Sequence, residues 1–188
     1  MHRLALFASG NGTNVQRMAE YFEFHPSVSI DLVFSNNKEA YILERCKKLN
    51  LPTVVFSREE FYHTNYVPDL LSIQNITHIV LAGFLWLIPS NILSPYQGRI
   101  INIHPALLPR HGGKGMYGMK VHRSVIEAGD QESGITIHHV NAAYDEGQVI
   151  FQARCPVVSG ETPETLAEKI HQLEYRYYPE VVEKWLSR

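Results

Sequence analysis

Short apolar runs alternate with helical stretches through the first hundred residues of this 188-residue chain, and that alternation constrains its fold most. Strands are expected near Arg3–Ala8, Ser29–Ser35, Thr53–Val55, His78–Ala82 and Arg99–Ile103. Helices are expected near Thr13–Phe24, Glu39–Leu49, Glu59–Ile73 and Ser90–Leu93. Strands joined by helical crossovers run parallel, so the pattern predicts an α/β fold with a doubly wound, mostly parallel sheet. A short helix, Met119–Ala128, and two partly antiparallel strands, Gly134–Val140 and Val149–Val157, are expected to follow. A C-terminal helix, Pro163–Leu186, carries an apolar stripe of Leu166, Ile170, Leu173, Tyr177, Val181 and Trp185. Thr162-Pro163 suits its N-cap and first position. No repeat, low-complexity segment or linker interrupts the pattern, and the length fits one domain with a sizeable core.

Composition excludes several classes of function. A net charge of −2 gives no electrostatic footprint for nucleic acid or an anionic membrane. The longest apolar stretch is too short to span a bilayer, and the first strand is expected to begin near Arg3, with no signal peptide before it. Cys46 and Cys155 have no metal-type spacing and read as free thiols of a reducing cytosol. The ten histidines invite a metal reading. His138 and His139, however, point to opposite faces of a strand, and no His pair lies near a Cys or carboxylate cluster, so no metal is expected.

The chemistry centres on Asn102-Ile103-His104-Pro105. Asn102 and His104 are two apart on a strand, so they share a face, and Pro105 ends the ladder. That places an amide and an imidazole at the carboxyl end of a strand, where open α/β sheets bind ligands. A second polar loop, Asn141 to Gly147, presents Asp145. Taken singly, these are ordinary strand-end and turn residues. Together they suit acyl-group transfer: an amide to hold an oxyanion, an imidazole to carry a proton, and a carboxylate to set the imidazole's charge. Upstream, Ser9-Gly10-Asn11-Gly12-Thr13-Asn14 lies between a strand and a helix. A tight βα turn would need no more, but this layout also suits phosphate, with Thr13 and Asn14 capping the helix or bonding phosphate oxygens. Leu85, Trp86 and Leu87 follow a buried strand and suit a slot for a flat heteroaromatic ligand. The run Pro109 to Met119 contains Gly112, Gly113, Gly115 and Gly118 and reads as a mobile loop, either a lid or a plain surface connection.

With these motifs the chain resembles the glycinamide ribonucleotide formyltransferase family, folate-dependent enzymes of purine synthesis. The matching residues are Ser9–Asn14, Val33–Asn36, Leu81–Phe84, Asn102–Pro109, Ser133–His138 and Tyr144–Gly147. The resemblance implies one formyltransferase domain over 1–188 and a catalytic trio of Asn102, His104 and Asp145. It implies substrate phosphate at Gly12, Thr13 and Asn14, with Glu174 meeting the glycinamide side. It implies that 10-formyltetrahydrofolate, as cosubstrate, lies against Leu85, Trp86, Leu87 and Ala142, Ala143, Tyr144 and Asp145. Trp86 stands where many relatives carry Arg, the loop Gly112–Met119 is longer than in some, and His171 falls where some place Lys or Gln.

The expected reaction is attack of a substrate amine on the formyl carbon. Asn102 donates to the oxyanion, His104 is held protonated by Asp145, and Asp145 aids proton transfer through an ordered water. A carboxylate beside His104 is expected to raise its pKa. Methionyl-tRNA formyltransferases are expected to add a basic C-terminal domain, and deformylases an N-terminal regulatory one. A sugar-nucleotide formyltransferase or a nonenzymatic phosphometabolite binder are the other readings, disfavoured by the phosphate turn and by the trio. A cytoplasmic monomer or weak homodimer acting on small molecules is expected.

Overall fold

The computed structural model describes residues 1–187. Its strands are β1 (His2–Phe7), β2 (Val28–Ser35), β3 (Thr53–Val55), β4 (His78–Leu81), β5 (Ile100–His104), β6 (Glu132–His139) and β7 (Val149–Pro156). They form one seven-stranded sheet in the order β3-β2-β1-β4-β5-β6-β7. β1 pairs parallel with β2 and β4, β2 pairs parallel with β3, and β7 runs antiparallel to β6. The helices are α1 (Thr13–Phe22), α2 (Ile42–Lys48), α3 (Arg58–Tyr62), α4 (Tyr66–Ile73), α5 (Ser90–Leu93), α6 (Met119–Glu127) and α7 (Pro163–Leu186). The doubly wound, mostly parallel sheet with a C-terminal helix is therefore observed. The chain divides into two compact units, one over Met1–Ile101 and one beginning at Asn102.

In the first unit β1 is fully buried from Leu4 to Phe7, as a central parallel strand should be. Phe7 stacks on Phe34 at 4.6 Å, and Phe56 stacks on Phe61 at 4.9 Å. Phe84 meets Phe7 edge-on at 5.4 Å. Burying each such ring contributes about 1.5–3 kcal/mol. The expected helix over Glu59–Ile73 is instead two, α3 and α4, broken at His63-Thr64-Asn65. Pro68 explains the break: inside one long helix its ring would clash with the Thr64 carbonyl, whereas in the first turn of α4 it is tolerated. The Thr64 hydroxyl accepts from Tyr66 N–H and donates to the Glu60 carbonyl, holding the corner.

In the second unit β6 is buried from Ser133 to His138. α7 buries Leu166, Ile170, Tyr178, Val181, Val182 and Trp185, so the buried stripe runs through Tyr178 rather than the expected Tyr177. A capping box between Thr162 and Thr165 starts α7, with Pro163 at its first position.

His122 on α6 is 2% exposed, and its Nδ1 makes no hydrogen bond. Burial, helped by the nearby His171 and His104, pushes its pKa down from 6.5 to about 4. The folded state therefore favours the neutral ring, and this contribution is complete above pH 6.5. As pH falls from 6.5 toward 4 the unfolded chain binds the proton first and stability is lost, at up to about 1.4 kcal/mol per pH unit. We expect His122→Gln to flatten this acid limb in urea unfolding between pH 7 and 4. An acid limb of unchanged slope would contradict the assignment.

Candidate active site

The alternation of β5 puts Asn102 and His104 on one face, as their spacing requires. His104 is 3% exposed. Its Nε2 donates to the carbonyl oxygen of His111 at 2.8 Å. A carbonyl only accepts, so Nε2 carries a proton in every state that keeps this bond. The other ring nitrogen, Nδ1, faces the Asp145 carboxylate at 3.4 Å. Asp145 thus stands directly beside His104, at ion-pair rather than hydrogen-bond range.

Asp145 lies in the loop between β6 and β7, in the left-handed region at φ 58°. The Asn141 side chain closes a turn by accepting from Ala143 N–H at 3.0 Å. Gly147 is obligatory there, because a Cβ would sit 1.6 Å from the His139 carbonyl oxygen. Gly113 N–H donates to Asp145 Oδ2 at 2.9 Å, tying the glycine-rich loop to the carboxylate.

The titration of this pair departs from the expectation. The Asp145 charge and the hydrogen bond to His111 do raise the His104 pKa. Burial is the larger effect, and with the neighbouring His138 and His111 it sets the net direction downward. His104 is therefore a neutral ring at rest, not one held protonated. Burial also acts to raise the Asp145 pKa, but His138, His104 and the Gly113 N–H outweigh it, so the carboxyl stays below its ordinary range.

The expected site does not include His138, which enters the sequence analysis only as the end of the matching run Ser133–His138 and as a metal candidate that strand alternation argues against. Its Nδ1 donates to the His139 carbonyl at 2.9 Å. Its Nε2 accepts from Asn102 Nδ2, which can only donate, at 3.1 Å and lies 3.6 Å from Asp145 Oδ1. That bond fixes the Asn102 amide and leaves its second N–H for a ligand. The signal was available: His138 is the inward-facing member of an alternating strand. His111 and its partner Asp130 were also missed, because only folding brings them to His104. No group of side chains suited to a metal ion occurs among the described residues.

In the first unit the turn Gly10–Asn14 leads into α1 as expected. The helix cap is not Thr13 or Asn14 but Gly12, at φ 75° with no side-chain cap. Arg45 from α2 braces the turn, donating to the Asn11 backbone oxygen at 2.8 Å and to the Asn11 side chain. Of the expected slot residues, Leu85 is exposed, and its N–H donates to Ser9 Oγ at 3.1 Å. Trp86 and Leu87 are half-buried. The Trp86 ring sits against Phe56, Phe61 and Tyr62, with the Arg58 guanidinium 5.5 Å from its centre. Leu87 accepts from the Tyr62 hydroxyl at 2.9 Å. In the second unit Ala142 is exposed, Ala143 and Tyr144 are half-buried, and Glu174 is buried on α7. His171 stacks on Tyr175.

The formyl transferase family matches residues 2–182. The chain is 38% identical over 187 residues to the chloroplastic phosphoribosylglycinamide formyltransferase of Arabidopsis thaliana, covering 96% of this chain and 64% of that protein. The chloroplastic relative from Vigna unguiculata is likewise spanned over only 60% of its length. The phosphoribosylglycinamide formyltransferase of Haemophilus influenzae is 33% identical, with coverage of 100% and 88%. Among solved structures, the phosphoribosylglycinamide formyltransferase of Streptococcus pneumoniae superposes with a TM-score of 0.87 at 37% identity, over 99% of each chain. With a family match across nearly the whole chain and full-length relatives above 30% identity, this chain belongs to the formyl transferase family, in its phosphoribosylglycinamide formyltransferase branch.

Proposed function

We propose that this chain transfers the formyl group of 10-formyltetrahydrofolate to the amine of glycinamide ribonucleotide, giving formylglycinamide ribonucleotide in de novo purine biosynthesis. The observation that carries this reading is the grouping of Asn102, His104 and Asp145, with His104 fixed to donate from Nε2 and Nδ1 turned to a carboxylate. Simple binding of a phosphometabolite requires no such arrangement.

The amine attacks the formyl carbon and forms a C–N bond, and the carbonyl oxygen becomes an oxyanion. The Asn102 N–H not engaged by His138 donates to that oxygen. The attacking nitrogen must lose a proton, and N10 of the folate must gain one as its bond to the formyl carbon breaks. Neutral His104 takes the proton at Nδ1, where the ionised Asp145 stabilises the imidazolium, and the proton is then delivered to N10. This revises the expected order of events: His104 is charged during the reaction rather than before it.

In the same proposal, the substrate phosphate binds the turn at Gly12, Thr13 and Asn14, which the α1 dipole and Arg45 favour for an anion. Glu174 meets the glycinamide side. Leu85, Trp86, Leu87 and the 142–145 loop receive the folate. The family match spans both units, so we treat 1–188 as one functional domain. No described helix is long and apolar enough to cross a membrane. The protein is proposed to act in the cytosol as a monomer or weak homodimer.

Formyl transfer from 10-formyltetrahydrofolate, assayed with glycinamide ribonucleotide, methionyl-tRNA, an amino-sugar nucleotide and water as acceptors, tests the reading. Glycinamide ribonucleotide is expected to dominate, and preference for another acceptor would overturn it. His104→Ala is expected to lower kcat by about two to four orders of magnitude with little change in folate binding. Asp145→Asn is expected to fold, to lose most turnover and to lower the His104 pKa further, because one of the influences that raises it has gone. Near-normal turnover in either variant would remove that residue from the mechanism.

The phosphate turn is best tested at Gly10. A Cβ at Gly12 would lie 2.1 Å from Ile42 Cδ1 on a backbone of positive φ, so Gly12→Val would unsettle folding as well as binding. A Cβ at Gly10 meets nothing within 4 Å. Gly10→Val is expected to keep stability within about 1 kcal/mol and to raise KM for glycinamide ribonucleotide but not for the folate. Equal changes for both substrates would contradict the phosphate assignment.

A further inference from the structure

His111 is the best-pinned residue of the glycine-rich loop, and the reaction above assigns its side chain no role. It occupies the left-handed region at φ 55°, a conformation that costs a residue with a Cβ on the order of 1 kcal/mol or more. Both ring nitrogens are held. Nδ1 pairs with the Ser124 hydroxyl on α6 at 2.8 Å, and Nε2 donates to Asp130 Oδ2, in the turn after α6, at 2.9 Å. The other carboxylate oxygen of Asp130 takes the Arg110 guanidinium. Burial acts to raise the Asp130 pKa, but the hydrogen bonds from His111 and Arg110 outweigh it and keep the carboxylate ionised. The side chains of His111 and Asp130 are only 10% and 8% exposed, so this pair is not a loose surface bridge.

What the pinned ring holds in place is a backbone. The His111 carbonyl receives Nε2–H of His104, and two residues on, Gly113 N–H reaches Asp145. Residues 111–113 therefore grip both members of the proton-handling pair, one through an oxygen and one through an N–H. A Cβ at Gly112, between them, would fall 2.4 Å from Leu108 and 3.3 Å from Asp145, so this segment is closely packed.

We propose that Asp130 and Ser124 clasp the His111 ring and so act as positioning residues, setting His104 and Asp145 in register through the backbone of residues 111–113. The proposal rests on the role given above to His104. Asp130 and Ser124 touch no substrate; they hold a loop in an unfavourable backbone conformation so that its carbonyl meets Nε2. If the clasp opens, the loop relaxes, His104 loses its acceptor and the ring is free to rotate or change tautomer. Such misplacement at a catalytic group lowers turnover more than binding.

Four variants test this, each read by kcat, by KM for both substrates and by NMR titration of His104. Asp130→Ala is expected to lower kcat about ten- to hundredfold with KM nearly unchanged, and to lower the His104 pKa, because the hydrogen bond to His111 raises it. Asp130→Asn is expected to restore most of the loss, since its amide oxygen still accepts from Nε2 of His111. Ser124→Ala, a mild change, is expected to act in the same direction and more weakly. His111→Gly removes the backbone strain along with the clasp; if the ring is the device, kcat falls even though the conformation is easier to reach. Lower thermal stability with kcat and the His104 titration both unchanged would show a structural brace only and would overturn the proposal. The titration needs no turnover, so an inactive wild-type protein would count against the proposed reaction while leaving the clasp to be judged by NMR.

Discussion

The contact between His104 Nε2 and the His111 carbonyl is the constraint on which the rest of the site depends. A neutral imidazole has one proton to give, and this contact claims it. The ring must then present a bare Nδ1 to Asp145, a lone pair beside a carboxylate at 3.4 Å. Only the imidazolium satisfies both acceptors, yet burial makes that charged form costly. The two demands oppose each other, and the outcome is a ring that is neutral at rest but surrounded by groups that welcome a proton. A group that must accept a proton from an attacking amine and release it to a leaving nitrogen needs that balance.

Backbone supplies much of the precision. The His111 and His139 carbonyls fix the tautomers of His104 and His138, and Gly113 N–H orients Asp145. His138 in turn holds the Asn102 amide, which leaves a single N–H free to be aimed. The residues that would act on substrate are therefore held by residues that would not, several of them on the loop between β5 and α6. In the proposed clasp the position of that loop depends on the hydrogen bond between His111 and Asp130, which involves no catalytic group.

The sheet was readable in the sequence because its signals are local. Short apolar runs and the turns that punctuate them located every strand within two residues, and Pro163 after Thr162 marked the start of α7. The single helix expected over Glu59–Ile73 failed because the apolar period persists across the break while Pro68 forbids a continuous ladder. The trio was legible for a similar reason: Asn102 and His104 are fixed by strand alternation, and Asp145 by its place in a polar loop between strands. What was not legible depends on long-range contact or on competing energies. No spacing rule connects His111 with Asp130 and Ser124, or Arg45 with Asn11. The direction of the His104 pKa was misjudged because a neighbouring carboxylate can be guessed from sequence, whereas the depth of burial that outweighs it cannot.

The central claim is that free His104 is a neutral ring whose single proton sits on Nε2. Ring-nitrogen chemical shifts of His104 in uniformly 15N-labelled protein near pH 7.5 measure this directly. The account predicts a protonated Nε2 and a bare Nδ1, with the proton on Nδ1 appearing only on acidification. A ring protonated on Nδ1 alone, or an imidazolium already formed at that pH, would contradict it.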